Sequence, residues 1–145
     1  MPTARRSRTI GAAPARVWQT VGDPHHLPRW WPRVERVEGV RGDRFTEVLG
    51  TERGHSVRAD FRVVESRAPE RRVWEQELEG SPFERVFAAA RTEIALSPYE
   101  GGTRVTLVVR LRLRGAARLG GWVVRRATAR VLDEALGALE ALHGA

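Results

Sequence analysis

Two hydrophobic periodicities divide the chain. From Arg33 to Arg114 apolar and polar positions alternate with a period of two, as in strands with one buried and one wet face. Arg33 to Val40 is read as one strand, Arg41-Gly42-Asp43 as a turn, and Arg44 to Thr51 as the next strand, closed by the turn Glu52-Arg53-Gly54. Val57, Ala59, Phe61 and Val63 then alternate with Arg58, Asp60 and Arg62. After the turn at Ala68-Pro69, the strand Arg72 to Glu79 sets Trp74, Gln76 and Leu78 against Glu75, Glu77 and Glu79. Beyond the turn Gly80-Ser81-Pro82, the residues Val86, Ala88, Ala90, Thr92, Ile94 and Leu96 share one face of a long strand. A turn-rich loop from Ser97 to Gly102 leads to Val105, Leu107, Val109, Leu111 and Leu113, which oppose Arg104, Arg110, Arg112 and Arg114.

The flanks have helical spacing instead. Arg5 to Ile10 is a first strand, and Pro14 opens a short helix with Val17, Trp18 and Val21 on one face. Gly22-Asp23-Pro24 stops that helix. Gly115 ends the sheet, and the proline-free run Ala116 to His143 is read as one long helix with a stripe at Leu119, Val123, Ala127, Val131, Ala135, Ala138 and Leu142. Six or seven meandering antiparallel strands with a C-terminal helix across their apolar face make an α+β fold.

Between the first helix and the second strand stands Asp23-Pro24-His25-His26-Leu27-Pro28-Arg29-Trp30-Trp31-Pro32. Three prolines make this a rigid, broken helical elbow. Two adjacent tryptophans need a concave apolar surface to close against, which suggests a protein built around a cavity.

Composition narrows the classes. The 145 residues fit one domain, 1–145, large enough to bury about two-thirds of its unfolded surface. No apolar run approaches the roughly 20 residues of a membrane span. The arginine-rich start lacks an apolar segment of signal-peptide type, and a cytoplasmic location is expected. There is no cysteine, which removes disulfides and thiolate chemistry. The net charge is +7, and all basic residues are arginine, a chain-wide bias that alone argues against a dedicated nucleic-acid face.

Four features together carry a resemblance: Ala13-Pro14-Ala15-Arg16-Val17-Trp18; Asp23-Pro24 with Trp30-Trp31-Pro32; Gly102-Thr103-Arg104-Val105-Thr106; and the final helix. In order and spacing they are similar to the START-like polyketide cyclase/dehydrase superfamily, also called SRPBCC. The resemblance covers almost the whole chain. It implies a helix-grip fold, in which a strongly curved antiparallel sheet wraps the long C-terminal helix, two short helices follow strand 1, and a deep apolar cavity lies between sheet and helix. The superfamily includes lipid and steroid carriers, polyketide cyclases, hormone receptors and ring-oxygenase subunits, so it implies a fold more than an activity.

In such a fold the inward residues line the cavity: Phe45, Val57, Ala59, Phe61, Trp74, Gln76, Ala88, Ala90, Thr92, Leu107 and Val109, with Trp30 and Trp31 at the mouth. Small side chains on the Ala88–Thr92 face leave room, and Gln76 and Thr92 supply the few polar groups such pockets carry. Arg126 and Arg130, with Glu134 in an i, i+4 ladder, are further candidates, since a guanidinium can hold a ligand carboxylate or enolate; a solvated face laced by weak ion pairs is the plainer reading. Glu47 is another inward polar candidate. Arg58 and Arg62 can meet Glu75, Glu77 and Glu79 across paired strands, whereas Arg110, Arg112 and Arg114 lack an obvious acidic partner and, with Arg118 and Arg125, form the best basic patch. His25-His26 has no third ligand at metal spacing, Ser81 has no nucleophile elbow, and no glycine-rich phosphate loop follows a strand, so no metal and no cofactor are expected. The first expectation is a carrier or sensor of an apolar small molecule: a lipid, a polyketide or an aromatic compound. The second is a polyketide aromatase/cyclase promoting aldol closure and dehydration, and the third a partner- or RNA-binding protein using the arginine face. Whether the chain is an enzyme, which ligand it takes and whether it is a monomer or homodimer are not legible at this level.

Overall fold

The computed structural model describes residues 2–145. Its elements run β1 (Thr3–Ile10), α1 (Pro14–Val21), a 3-10 turn (Pro24–His26), α2 (Leu27–Trp30), β2 (Val34–Arg41), β3 (Arg44–Gly50), β4 (Ser56–Arg67), β5 (Arg71–Glu77), β6 (Phe87–Tyr99), β7 (Gly102–Leu113), a second 3-10 turn (Gly115–Gly120) and α3 (Gly121–His143). The strands form one seven-stranded sheet in the order β1-β7-β6-β5-β4-β3-β2, antiparallel throughout. This is the curved sheet and long helix of a helix-grip fold.

Local chemistry places the short elements. Pro14 occupies the first turn of α1, where its missing N–H is no loss. Asp23 caps the next turn by accepting from the His25 backbone N–H at 3.0 Å. At the other end of the chain the Gly11 N–H donates to Gly144 O at 2.8 Å, and Thr20 Oγ1 bonds His143 Nε2 at 2.8 Å. These two bonds fasten the end of α3 to the β1–α1 corner and to the last turn of α1. Gly102 has no room for a side chain, because a Cβ there would strike Ile10 O across the β1–β7 ladder.

The core lies under α3. Leu132, Ala135, Leu136 and Leu139 are fully or almost fully buried, as are Ile94, Val105 and Leu107 on the concave face of the sheet. Each large side chain contributes about 1.5–3 kcal/mol by leaving water. The main contacts of α3 are with β1, β7 and α2. The helix therefore seats on one side of the concave face and does not cover β3 to β5 to the same degree.

The convex face is an arginine–carboxylate lattice. Glu93 accepts from Arg71 Nη2 at 2.5 Å and from Arg110 Nε at 2.7 Å, Arg44 meets Glu77 at 2.8 Å, and Arg58 pairs with Glu38. Burial alone would raise the Glu93 pKa, but its two guanidinium partners outweigh that and hold it below the usual range. Two expectations change here. Arg62 does lie opposite Glu75, but the ion pair of Glu75 is with Arg91, at 3.4 Å. Arg110, expected to be unpartnered, has Glu93.

The helix differs from its sequence reading in two ways. It begins at Gly121 rather than Ala116, because Gly120 and Gly121 each weaken helix by about 1 kcal/mol relative to alanine and the preceding turn is 3-10. Its buried row is Ala129, Leu132, Ala135, Leu136 and Leu139. Of the expected stripe only Ala135 is in that row, and Leu119, Val123 and Leu142 are exposed. Both rows have helical spacing, so periodicity alone could not say which one met the sheet. Leu132→Ala should therefore lower unfolding free energy by about 2–5 kcal/mol, whereas Leu119→Ala should change it by less than about 0.5 kcal/mol, as read from urea denaturation midpoints.

Candidate functional site

The part of the concave face that α3 leaves uncovered is a cavity of about 440 Å³. Its apolar wall is built from Leu49 of β3, Val57 and Phe61 of β4, Trp74 of β5, Phe87 and Ala90 of β6, and Val109 and Leu111 of β7. Ala127, Thr128 and Val131 close it from the helix, and Phe83 closes it from the β5–β6 loop. The elbow supplies Trp31, Pro32 and Arg33 at one rim. Edge-to-face contacts run from Trp30 to Trp31 (centroids 5.3 Å apart) and from Trp31 to Trp74 (6.2 Å), so the elbow indoles are braced against the sheet.

Besides Arg33, Thr51 and Thr128, whose hydroxyl donates to Val124 O within α3, three polar side chains from the sheet break the apolar lining. Glu47 on β3 is only 4% exposed. Burial pushes its carboxyl up to about 8, with no cation or hydrogen bond to offset it, so at neutral pH the group is mostly uncharged. Gln76 on β5 has its Nε2 buried without a hydrogen-bond partner. Thr92 on β6 is also buried. A protonated carboxyl can donate one hydrogen bond and accept others, an amide can do both, and a hydroxyl completes the set. The site thus offers uncharged polar groups in an apolar shell, suited to carbonyl and hydroxyl groups of a ligand. Leaving such groups dry without partners costs about 1–3 kcal/mol each.

Of the residues singled out from sequence, Trp31, Glu47, Val57, Phe61, Trp74, Gln76, Ala90, Thr92 and Val109 line this cavity. The others lie elsewhere. Trp30 is not at the mouth; it is 2% exposed and belongs to the core. Phe45 stacks on Phe61 at 5.3 Å and, with Ala59 and Leu107, is packed into the structure without lining the cavity. Arg126 and Arg130 are exposed on α3, do not reach the cavity, and form no ion pair with Glu134 among the described residues.

Ala88 is displaced by an irregularity in the β6–β7 register between Phe87 and Ala89. The extra residue turns Phe87 inward, opposite Leu113, and moves Ala88 to a second concavity of about 590 Å³ where β5 and β6 part. Gln76 and Ala90 line both spaces. Strict alternation places Phe87 outside, and Phe83 falls in a turn to which alternation assigns no face. The backbone N–H groups of Val86 and Phe87 both donate to Phe83 O, which folds the two phenylalanines toward each other. The turn residues Gly80-Ser81-Pro82 signal the bend without revealing its direction.

The Glu47 carboxyl makes stability depend on pH. Below its ordinary value of 4.5, folded and unfolded chains both hold the proton and the residue contributes nothing. As pH rises further, the unfolded chain releases the proton while the folded chain keeps it, so stability falls until about pH 8 and then levels. Urea midpoints measured across this range should decline for the natural chain more than for Glu47→Gln, with the variant the more stable at the alkaline end. Parallel curves would show that Glu47 ionises normally.

Known proteins share this architecture. A family model described as polyketide cyclase/dehydrase and lipid transport matches residues 1–144. No curated protein sequence matches significantly. Among solved structures, a protein from Thermus thermophilus is 23% identical with a TM-score of 0.75, the match covering 96% of this chain and 94% of that one. A START superfamily protein from Mycobacterium smegmatis is 13% identical at TM-score 0.79, over 97% and 96% of the two chains. The di-domain ARO/CYC StfQ from the steffimycin biosynthetic pathway is 12% identical at TM-score 0.78; the match covers 97% of this chain and 50% of that one. At these identities the likeness is one of fold. The family match spans nearly the whole sequence, and the chain belongs to the polyketide cyclase/dehydrase and lipid transport family.

Proposed function

We propose that this protein binds an apolar small molecule carrying carbonyl or hydroxyl groups, as a carrier or sensor. The observation that carries the reading is the 440 Å³ cavity, apolar on most of its wall and holding an uncharged Glu47 and an unpartnered Gln76 amide. Its size lies within the roughly 300–1,000 Å³ range of small-molecule sites. Burial of ligand surface supplies affinity at about 25 cal/mol per Å², less the cost of ordering. The polar groups orient the ligand, and the buried Gln76 Nε2 gains a partner that the protein itself does not supply. Lipid, polyketide and aromatic ligands all fit this chemistry.

A second reading is favoured by Glu47 itself. A carboxyl with a pKa near neutrality is poised as a general acid or base. Beside a poly-β-ketone it could protonate a departing hydroxyl or take a proton during aldol closure, while the apolar wall excludes water. Glu47→Gln separates the two readings, because it keeps a hydrogen-bonding group of the same shape and removes proton transfer.

Both readings are tested with one set of proteins. N-phenyl-1-naphthylamine should bind the natural chain with enhanced fluorescence, and Ala90→Phe, which fills the cavity, should weaken it by about tenfold or more. The milder Ala90→Val, with a smaller expected loss, guards against misfolding of the larger variant. Equal affinity in all three proteins would place the probe elsewhere and overturn the proposal. Cyclisation of a linear poly-β-ketone thioester, lost in Glu47→Gln while probe binding persists, would establish the second reading; no turnover by the natural chain would leave the carrier.

A further inference from the structure

Among the described residues, the start of α3 and the turn before it expose apolar surface. Leu119 is 86% exposed, Trp122 63% and Val123 50%. Such side chains at the surface, grouped in one short segment, mark a contact site. Leu119, Val123, Ala127 and Val131 follow one another at four-residue spacing, and the last two line the cavity. One apolar row therefore leads from the cavity wall to open solvent.

The same segment is strongly basic. From Arg110 to Val131 the chain has no acidic residue, and Arg112, Arg114, Arg118, Arg125, Arg126 and Arg130 are all exposed. None of these six forms an ion pair among the described residues, unlike the arginines of the convex lattice. On the adjoining flank of α3, Trp122, Arg125 and Arg126 border a groove of about 330 Å³ against Arg5 and Arg6 of β1. Exposed indole and aliphatic groups set among unpaired guanidinium groups suit the boundary between anionic lipid headgroups and acyl chains. A second copy of the chain would set like charges face to face, and nucleic acid would leave Leu119 and Val123 without a use.

We propose that the segment Arg114–Arg130 docks the protein on an anionic lipid bilayer, with Leu119, Trp122 and Val123 entering the headgroup boundary and the surrounding arginines contacting lipid phosphates. Docking there would bring the apolar row of α3 against the bilayer, next to the cavity. The proposal stands whether the cavity serves a carrier or a cyclase.

Flotation of the full chain with vesicles tests it. The protein should partition onto phosphatidylglycerol–phosphatidylcholine vesicles and much less onto phosphatidylcholine alone, with the difference reduced by salt. Arg125→Gln with Arg126→Gln should weaken partitioning about thirtyfold. The triple change Leu119→Ser, Trp122→Ser, Val123→Ser should weaken it by about tenfold or more. All three positions are exposed and outside the cavity, so probe binding and urea midpoints should stay as in the natural chain. No partitioning, or partitioning unaffected by the triple change, would overturn the proposal. So would tight, salt-dependent RNA binding that competes with vesicles and is insensitive to the triple change, or a dimer in solution that the triple change dissociates.

Discussion

The seat of α3 decides most of what this molecule contains. Leu132, Ala135, Leu136 and Leu139 lock the helix above β1 and β7, and the bonds from Gly144 to the β1–α1 corner and from His143 to the last turn of α1 fix its far end. A helix of 23 residues is too narrow to cover seven curved strands. Once it is anchored on the β1–β7 side, the concave surface of β3 to β6 must face something else. The tryptophan elbow takes part of that surface, and the remainder is empty space. The cavity is thus first a geometric consequence of where one helix lies, with Phe83 of the β5–β6 loop and the elbow completing its rim.

The polar content of that space is what gives it chemical selectivity. An all-apolar hollow would only select for size. Glu47, Gln76 and Thr92 stand on three strands of one sheet, so their spacing is set by that sheet and not by mobile loops. Their desolvation weakens the fold, a loss that a ligand with matching groups would recover under the proposed function. The stability given up at such sites is a common companion of function.

Much of this architecture can be read directly from the residues. The strand alternation from Arg44 to Leu113 rests on side chains that really do face opposite ways, and the elbow follows from Pro24, Pro28 and Pro32. The legible part of the site is the part on regular strands, such as Trp74, Gln76, Ala90 and Thr92. The rest depends on events that a period of two does not encode. One extra residue near Ala88 exchanges it with Phe87, and a backbone turn at Phe83 aims a ring inward. Trp30 and Trp31 are identical in type and adjacent, so opposite fates for them follow only from the three-dimensional path of α2. On α3 two apolar rows compete, and the choice between them is made by the shape of the sheet.

The convex lattice has a consequence for the range of conditions the fold can meet. Every cation in it is a guanidinium, which holds its proton until above about pH 12. Carboxylates such as Glu93, clasped between Arg71 and Arg110, stay ionised well into the acid range. At this node of the shell the charges persist further into acid than a free glutamate would allow, while an equivalent built from lysine would fade in strongly alkaline solution. The buried Glu47 carboxyl is pushed the opposite way, so the two faces of one sheet hold carboxyls in opposite charge states near neutrality.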